Sequence, residues 1–255
     1  KSSEQDSLSS IYAKRLHRPH MGGDWHFHKE FELIYFLKGQ GMRIVGDHIS
    51  NFQKGELVLV GQWLPHLWRN DEDNITGETT DFIVIKFTRM FGEVNLFLMP
   101  ELLHIKALLK EASSGILFSK KVRKSVHDEL LQLTQAEASE KLILLLSILR
   151  KLVRSKNHQK LSGPNFTIPK ELSGENRLQK VINYISTNYS RSIGLDDISK
   201  IAAMTPPAFC RFFKTRTNKT FSLFLNEVRI SKACQLLING EAPIKQICYD
   251  VGFSS

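Results

Sequence analysis

The sequence lacks the features of a membrane protein and of a disulfide-stabilised secreted protein. It contains 3 cysteines in 255 residues and no CxxC pair, which fits a reducing cytoplasm better than a disulfide framework. Its longest apolar run, at 142–149, is interrupted by Ser147 and is far shorter than the roughly 18 residues of a membrane span. No signal peptide is recognisable. We therefore expect a cytoplasmic protein with no membrane partner.

Acidic residues are scarce in the last third of the chain. The net charge is +9, and the part from Lys170 onward has 12 Lys and Arg against 7 Asp and Glu. No acid lies between Asp197 and Glu227, where the basic residues are Lys200, Arg211, Lys214, Arg216 and Lys219. Such a stretch suits contacts with phosphate, although a solvated helix face produces the same pattern.

Length and residue distribution indicate two domains. The apolar share of 42% and charged share of 24% are those of a globular protein, and 255 residues exceed one average domain. All 9 histidines precede Lys170, whereas all 3 cysteines follow it. The intervening stretch is rich in Gly and Pro and has no apolar period, as in a linker. We predict an N-terminal domain at 1–155, a linker at 156–176 and a C-terminal domain at 177–255.

The N-terminal domain is predicted to begin with strands and end with helices. Short apolar segments between Gly, Asn and Asp predict strands at 31–37, 42–45, 57–60 and 82–87. Helical spacing then predicts helices near 101–112, 122–134 and 136–154. The result is a barrel over about 12–90 followed by helices over about 100–154.

The predicted helix at 136–154 is apolar on most sides. Leu142, Leu146, Leu149 and Val153 follow a helical spacing, and Ile143 is one of several apolar residues between them. A helix of this kind buries two surfaces, one in its own domain and the other against a second subunit. This interpretation predicts a homodimer through the four spaced residues. A helix buried entirely within one core is the alternative.

One histidine spacing in the β-rich part suggests a binding site. The first segment reads H-x-H-x3-E-x6-G from His26 through His28 and Glu32 to Gly39, and a second contains His66. Residues two apart on a strand share a face, so His26 and His28 point the same way. Three imidazoles and a carboxylate are ligands for a divalent metal. The two segments resemble the signature of the cupin family, which implies a jelly-roll barrel whose motifs line one cavity.

The second segment matches the family at Gly55, His66 and Asn70. It departs from the family at Gly61 and Trp63, where Pro and Gly are usual. This departure weakens the metal prediction more than the fold prediction.

Three interpretations of the histidines remain open. A metal-dependent enzyme would use His26, His28, Glu32 and His66 as ligands. A metal-free sensor would use the same side chains to hydrogen-bond a small molecule. In the third interpretation, these side chains have a structural role and form hydrogen bonds with backbone groups of the barrel. Our candidate effector site consists of His26, His28, Glu32, Arg43, Trp63 and His66. No cofactor is expected, with a divalent metal at the His and Glu residues as the alternative.

The C-terminal domain contains a helix-turn-helix pattern. After an amphipathic helix at 177–189, Leu195, Ile198 and Ile201 mark a short helix. Pro207 suits the start of the next helix, because its missing N–H would be unpaired there. In that helix Phe209, Phe212 and Phe213 face inward, which leaves an open face for the major groove of DNA. The candidate DNA-binding residues are Pro207, Ala208, Cys210, Arg211, Lys214, Arg216 and Lys219.

The same framework recurs near the C-terminus. After a long helix at 221–239, Ile244, Ile247 and Val251 repeat the pattern of Leu195, Ile198 and Ala202. Four motifs over 177–255 resemble the AraC/XylS family of bacterial transcription regulators: I-x2-I-A-x-M-T-P, F-x2-F-F-K, R-I-S-K-A-C-Q-L-L and I-C-Y-D-V-G-F-S-S. In that family a second recognition helix follows F-S-S. The resemblance therefore implies that the second helix-turn-helix is incomplete at Ser255 and that the sequence binds operator DNA weakly.

The two resemblances together imply an α+β fold with two domains. A cupin-like jelly-roll β-barrel and its helices come first, followed by an all-α DNA-binding domain with tandem helix-turn-helix motifs. The expected function is regulation of transcription in response to a small molecule in the barrel. The expected partners are double-stranded operator DNA, a second copy of the chain and the transcription machinery. Two alternatives remain: a metal-dependent cupin enzyme with an appended DNA-binding domain, and a constitutive regulator whose barrel only dimerises.

Overall fold

Two antiparallel sheets face each other in the N-terminal part of the protein. The computed structural model describes residues 10–19, 21, 23–70, 79–155, 157–164, 166, 175–240 and 242–253. Its strands are β1 (Ile11–Arg18), β2 (Phe31–Lys38), β3 (Gly41–Val45), β4 (His48–Phe52), β5 (Leu57–Val60), β6 (His66–Arg69), β7 (Thr80–Phe87), β8 (Met90–Phe91), β9 (Val94–Asn95), β10 (Ile116–Phe118) and β11 (His158–Lys160). One sheet has the order β1-β7-β2-β5-β10-β11 and the other β4-β3-β6, while β8 and β9 form a separate pair.

The six-stranded sheet is covered on both faces, and β2 illustrates how. Leu33 and Tyr35 lie in a core shared with helices, whereas Ile34 and Phe36 lie in the core between the two sheets. Side chains alternate along a strand, so a strand covered on both faces requires a nearly continuous apolar sequence. The prediction of an α+β fold that begins with a jelly-roll barrel is confirmed.

Three helices pack on the outer face of the six-stranded sheet. They are α1 (Leu103–Glu111), α2 (Lys120–Leu133) and α3 (Ala138–Val153), and they agree with the predicted helices to within two residues at each end. Short 3₁₀ helices flank α1 at Leu96–Leu98, Pro100–Leu102 and Ala112–Ser114. None of the helices in the described part of the chain has the length and apolarity needed to cross a membrane.

The four residues of α3 that were predicted to contact a second subunit are buried or half-buried within the protein itself. Leu149 is fully buried in the core that α3 shares with the sheet. Leu142, Leu146 and Val153 are half-buried against the same core. The prediction that Leu149 lies at a dimer surface is therefore wrong, because its own domain covers it. On the outer side of α3, Ile143 is 67% exposed.

The C-terminal part consists of helices packed around an aromatic core. Its helices are α4 (Glu175–Asn188), α5 (Leu195–Ile201), α6 (Pro206–Thr217), α7 (Phe221–Asn239) and α8 (Ile244–Asp250). Phe209, Phe213 and Phe224 are fully buried, and α4 contributes Val181 and Ile185 to the same core. The predicted helical domain is confirmed, with α7 matching its predicted bounds.

The helical part packs directly against the outer face of the three-stranded sheet. Met42, Ile44 and Leu67 of that sheet belong to the same apolar cluster as the buried residues of α4. Asn51 on β4 and Ser231 on α7 exchange two hydrogen bonds, of 2.8 and 2.6 Å. The structure is thus layered in the order helices, six-stranded sheet, three-stranded sheet and helical domain.

The stretch predicted as a linker, 156–176, contains a strand. β11 pairs with β10 at the edge of the six-stranded sheet. Leu161 and Ser162 are buried, and the Ser162 hydroxyl donates to the carbonyl oxygen of Val45 at 2.9 Å. Residues 157–164 therefore belong to the barrel and not to a linker. Their Gly-Pro pair lies against the turn between β3 and β4, where Gly163 N–H donates to Oδ1 of Asp47 at 2.9 Å. Residues 156, 165 and 167–174 lie outside the described residues.

Candidate functional site

The structure brings His26, His28, Glu32 and His66 together at one end of the barrel. One ligand atom from each residue lies within 4.8 Å of those of the others. His26 and His66 face each other in an isolated antiparallel bridge. Each of these two residues donates its backbone N–H to the other's carbonyl oxygen, at 3.1 and 2.8 Å. Glu32 is the second residue of β2, so the segment 26–32 and the start of β6 supply the cluster.

Backbone carbonyls orient the rings of His26 and His66. Nδ1 of His26 lies 2.8 Å from the carbonyl oxygen of Asp24, and Nδ1 of His66 lies 2.8 Å from that of Leu64. A carbonyl oxygen only accepts, so Nδ1 carries the proton and Nε2 presents a lone pair in each neutral ring. Nε2 of His66 is buried and has no hydrogen-bond partner. A buried nitrogen with a free lone pair is what a metal ligand requires.

The charges of the cluster favour binding of a cation. Burial lowers the pKa of His26 and lowers that of His66 to about 3, so both rings are neutral at neutral pH. Burial alone would raise the pKa of Glu32, but a hydrogen bond from His28 at 3.1 Å and the nearby Lys86 ammonium hold it below its usual range. The neutral imidazoles of His26 and His66, together with the carboxylate of Glu32, are donor types of a divalent transition-metal site.

The space between the sheets is filled close to this cluster. The rings of Phe36 and Phe52 lie 4.2 Å apart between their centroids, and Trp68 contacts both Phe36 and His66. Among the described residues, these aromatic side chains fill part of the space between the sheets beside the cluster. The close approach of the four side chains themselves is the size of a single-ion site.

The side chains of two predicted effector residues lie outside the cluster, although the backbone N–H of Trp63 donates to the carbonyl oxygen of His28 at 2.8 Å. Arg43 is buried in an ion pair with Glu56, so its guanidinium is already engaged. Trp63 is 43% exposed and contacts Phe27. Its φ of +62° is rare for a bulky residue. The backbone thus keeps a left-handed conformation at a position where the cupin motif usually has glycine.

The predicted helix-turn-helix is formed by α5 and α6. The turn contains Ala203, with φ of +51°, and α6 begins at Pro206 after the N-cap residue Thr205. Phe209 and Phe213 are buried, as predicted. On the opposite side of α6, the exposed members of the predicted set are Pro207, Cys210, Arg211 and Lys214.

The remaining candidate DNA-binding residues are partly buried or already make contacts within the protein. Ala208 is half-buried. Arg216 lies over the ring of Phe212, with its guanidinium carbon 5.8 Å from the centroid. Lys219 donates to both carboxylate oxygens of Glu227 at 2.6 Å. Lys219 is thus an internal salt-bridge partner, and its predicted role in binding phosphate is not supported by its position.

The second framework repeats the burial of the first. Ile247 and Val251 are buried like Ile198 and Ala202, whereas Ile244 is exposed like Leu195. Sequence reasoning assigned no role to Arg229, which donates to the carbonyl oxygens of Tyr189 and Arg191 after α4. Its guanidinium also lies 5.6 Å from the centroid of Phe253. Ser254 and Ser255 lie outside the described residues.

A cavity of about 490 Å³ lies elsewhere, on the helical side of the N-terminal part. It is lined by Arg89, Asn95, Phe97, Leu98, Leu103, Lys106, Ala107, Leu109 and Lys110. None of the predicted effector residues lines it.

The helix-turn-helix geometry of the C-terminal part agrees with the similarity of this segment to known proteins. Residues 198–255 match the family model of the helix-turn-helix domain, from the buried Ile198 to the end of the second framework. This part of the chain is therefore similar to the helix-turn-helix domains of transcription regulators. The chain is 22% identical over 236 residues to the uncharacterized HTH-type transcriptional regulator YdeC of Bacillus subtilis, covering 90% of this chain and 78% of YdeC.

Two further similarities extend over most of the chain. The uncharacterized HTH-type transcriptional regulator YbfI of Bacillus subtilis is 24% identical over 238 residues, which cover 90% of this chain and 78% of YbfI. The crystal structure of ToxT from Vibrio cholerae aligns with 96% of this chain and 89% of its own, with a TM-score of 0.38 and 13% identity. A TM-score this low supports no inference about the effector.

Proposed function

We propose that this regulator controls transcription at operator DNA in response to a divalent transition-metal ion held by His26, His28, Glu32 and His66. The observation that carries the proposal is the Nε2 atom of His66, which is buried without a hydrogen-bond partner and faces the other three side chains. Leaving such an acceptor unsatisfied costs about 1–3 kcal/mol. A bound cation would satisfy it and would balance the ionised Glu32.

DNA is contacted in this proposal by the open face of α6. Arg211 and Lys214 project from that face, and an Arg near the middle of a recognition helix reads guanine in the major groove. The overall charge of +9 assists approach to the phosphates. The regulator would then act in the cytoplasm on the transcription machinery, as the family resemblance implies.

The proposed assembly is a homodimer through the outer side of α3. Ile143 is 67% exposed there, beside the half-buried Leu142 and Leu146. An exposed apolar strip of this kind is more stable when covered, and a second copy offers the same strip in a symmetric contact. Two copies of α6 would then be available for two half-sites of an operator.

The experiment compares the metal-free and metal-loaded full chain. The protein is stripped with a chelator and titrated with Zn²⁺, Mn²⁺, Ni²⁺ or Fe²⁺, and its affinity for DNA selected in vitro is measured by fluorescence anisotropy. We expect about one ion per chain and a change in DNA affinity of at least about 5-fold, the usual lower range of allosteric coupling. Metal binding should weaken by at least about 10-fold in His66→Ala.

Other outcomes favour the alternatives. Metal binding that leaves DNA affinity unchanged in an intact dimer would favour a constitutive regulator. Turnover of a small organic substrate by the metal-loaded chain would favour a metal-dependent enzyme with a DNA-binding appendage. Absence of metal binding would contradict the proposal.

A further inference from the structure

The two chain segments that present His26 and His66 continue directly into the contact with the DNA-binding domain. Trp25, the residue before His26, is buried in the apolar cluster that contains Val181 and Ile182 of α4. Leu67, the residue after His66, belongs to the same cluster. The two ligands therefore lie one residue away from the surface on which α4 rests.

Asn183 on α4 holds the segment before His26 with both ends of its amide. Its Nδ2 donates to Oδ1 of Asp24 at 2.7 Å, and its Oδ1 accepts the backbone N–H of Trp25 at 3.2 Å. The carbonyl oxygen of Asp24 in turn accepts from Nδ1 of His26 at 2.8 Å. One chain of hydrogen bonds thus runs from α4 to the imidazole ring.

A second connection runs from the strand that carries His66. Arg69 on β6 donates to the hydroxyl of Thr187 at 2.7 Å. That hydroxyl donates to the carbonyl oxygen of Asn183 at 2.9 Å. Both connections therefore converge on the same turn of α4, which packs against α5 of the helix-turn-helix.

We propose that Asn183 couples occupancy of the His26, His28, Glu32 and His66 cluster to the position of α4 on the barrel. This inference rests on the proposed function, since it assumes that a metal ion binds the cluster. An ion that fixes the ring of His26 also fixes Asp24 and Trp25, which then hold α4 in its docked position. Without the ion, the ring of His26 is held by its hydrogen bond to Asp24 and by the His26–His66 bridge, and no ligand fixes its Nε2. Asn183 is a positioning residue and does not touch the ion.

The decisive variant is Asn183→Ala in the full chain, with Zn²⁺ alone as the probe. We expect wild-type DNA affinity to change by at least about 5-fold with Zn²⁺, and that of Asn183→Ala by less than about 2-fold. Affinity for Zn²⁺ in the absence of DNA should be unchanged, because the four ligands remain. Asn188→Ala is the matched control, since Asn188 lies on the same helix and donates to Tyr184 within it.

Two further measurements separate coupling from a general structural effect. Coupling free energy is reciprocal, so DNA should change the Zn²⁺ affinity of wild type by the same factor and leave that of Asn183→Ala unaltered. Zn²⁺ should also slow hydrogen exchange of α4 amides in wild type and in Asn188→Ala, but not in Asn183→Ala. If Asn183→Ala fails to fold, Arg69→Ala breaks the second connection and should reduce the coupling in the same way.

The outcomes distinguish this inference from the proposed function. If Zn²⁺ changes the DNA affinity of wild type and of Asn183→Ala equally, the proposed function stands and the role of Asn183 is overturned. If Zn²⁺ does not change the affinity of wild type, both are overturned. Loss of Zn²⁺ binding in Asn183→Ala would also contradict the inference, because it would assign Asn183 to the site itself.

Discussion

His26 and His66 are joined by two backbone hydrogen bonds, and their rings lie 4.3 Å apart between centroids. The bridge connects the loop before β2 to β6 at a point where no other strand pairing joins those two segments in the described residues. A ligand shared by the two rings would therefore link the six-stranded sheet, through Glu32, to the three-stranded sheet.

The first prediction concerns His66. Replacing it by Ala removes the buried Nε2 ligand atom. This should weaken Zn²⁺ binding by at least about 10-fold, because losing even a residue that only hydrogen-bonds a metal ligand has an effect of that size. Zn²⁺ at 100 times its Kd should stabilise wild type by about 2.7 kcal/mol and raise its Tm. Isothermal titration and thermal unfolding measure the two effects.

Trp63→Ala is the control for this prediction. Trp63 belongs to the predicted effector set but lies outside the cluster and is 43% exposed. Its replacement should leave Zn²⁺ affinity within about 2-fold of wild type. Equal losses in both variants would show that the cluster geometry does not determine metal binding.

The second prediction separates two basic residues that the sequence treats alike. Arg211→Ala should weaken specific DNA binding by about 1–3 kcal/mol, because its exposed guanidinium is available to a base. Lys219→Ala should have a much smaller effect on DNA affinity, since Lys219 is paired with Glu227. Anisotropy titrations with specific and non-specific DNA at several salt concentrations measure both.

A larger loss in Lys219→Ala than in Arg211→Ala would contradict the assignment of the open face of α6. Lys214→Ala serves as an intermediate case. As a phosphate contact, it should weaken specific and non-specific binding about equally and reduce the salt dependence.

The comparison of Arg211 with Lys219 indicates what the sequence can and cannot predict. The apolar spacing of Phe209 and Phe213 determines which side of α6 is buried, so the exposure of Arg211 follows from the pattern. The pairing of Lys219 with Glu227 depends on how α7 begins after α6. No local period encodes that contact.

The barrel shows the same limit. β2 and β5 were predicted because strands buried on both faces have a nearly continuous apolar sequence. β1, with the sequence IYAKRLHR, was missed because an edge strand with one exposed face tolerates charges. β6 has the same length as β5, but its sequence HLWR begins and ends with a polar residue and contains no apolar run that would predict a strand.

The candidate site was predictable in part for similar reasons. Strand alternation predicts His26 and His28 on one face, whereas the structure places them in the loop before β2, where His26 forms only an isolated bridge with His66. His66 is suggested only by the cupin resemblance. Asn183 escaped prediction because the helical period of α4 identifies buried apolar positions, and no spacing rule selects the polar residue that meets the barrel.

The third prediction tests the dimer. Ile143→Glu places a charge on the exposed side of α3 and should shift the protein from dimer to monomer, with the Tm of the separated chain little changed. Leu149→Ala should instead destabilise the fold by about 2–5 kcal/mol, because it leaves a cavity in the core. Analytical ultracentrifugation and urea unfolding distinguish the two effects. A monomeric wild type, or a dimer that persists in Ile143→Glu, would contradict this interface.

The fourth prediction concerns the buried ion pair of Arg43 and Glu56. Both residues are less than a tenth exposed, so Arg43→Met leaves the Glu56 carboxylate buried without its partner. Breaking a buried pair in this way costs about 3–5 kcal/mol. The nearby Arg123 guanidinium, which also lowers the pKa of Glu56, offsets part of that cost. The double variant Arg43→Met/Glu56→Met should recover most of the lost stability, since it removes the uncompensated charge.

The pH dependence of the Arg43→Met variant provides an independent check. Burial already raises the pKa of Glu56, and Arg43 opposes that rise, so removing Arg43 should raise the pKa further. When the folded-state pKa lies above the unfolded value, the protonated form favours folding and stability is lost as the pH rises through the folded pKa. Arg43→Met should therefore become more stable, relative to wild type, as the pH falls from about 7 toward about 5. The double variant lacks the carboxyl group and should not follow this trend in urea unfolding. An equal pH response in both variants would mean that Glu56 is not the group that titrates.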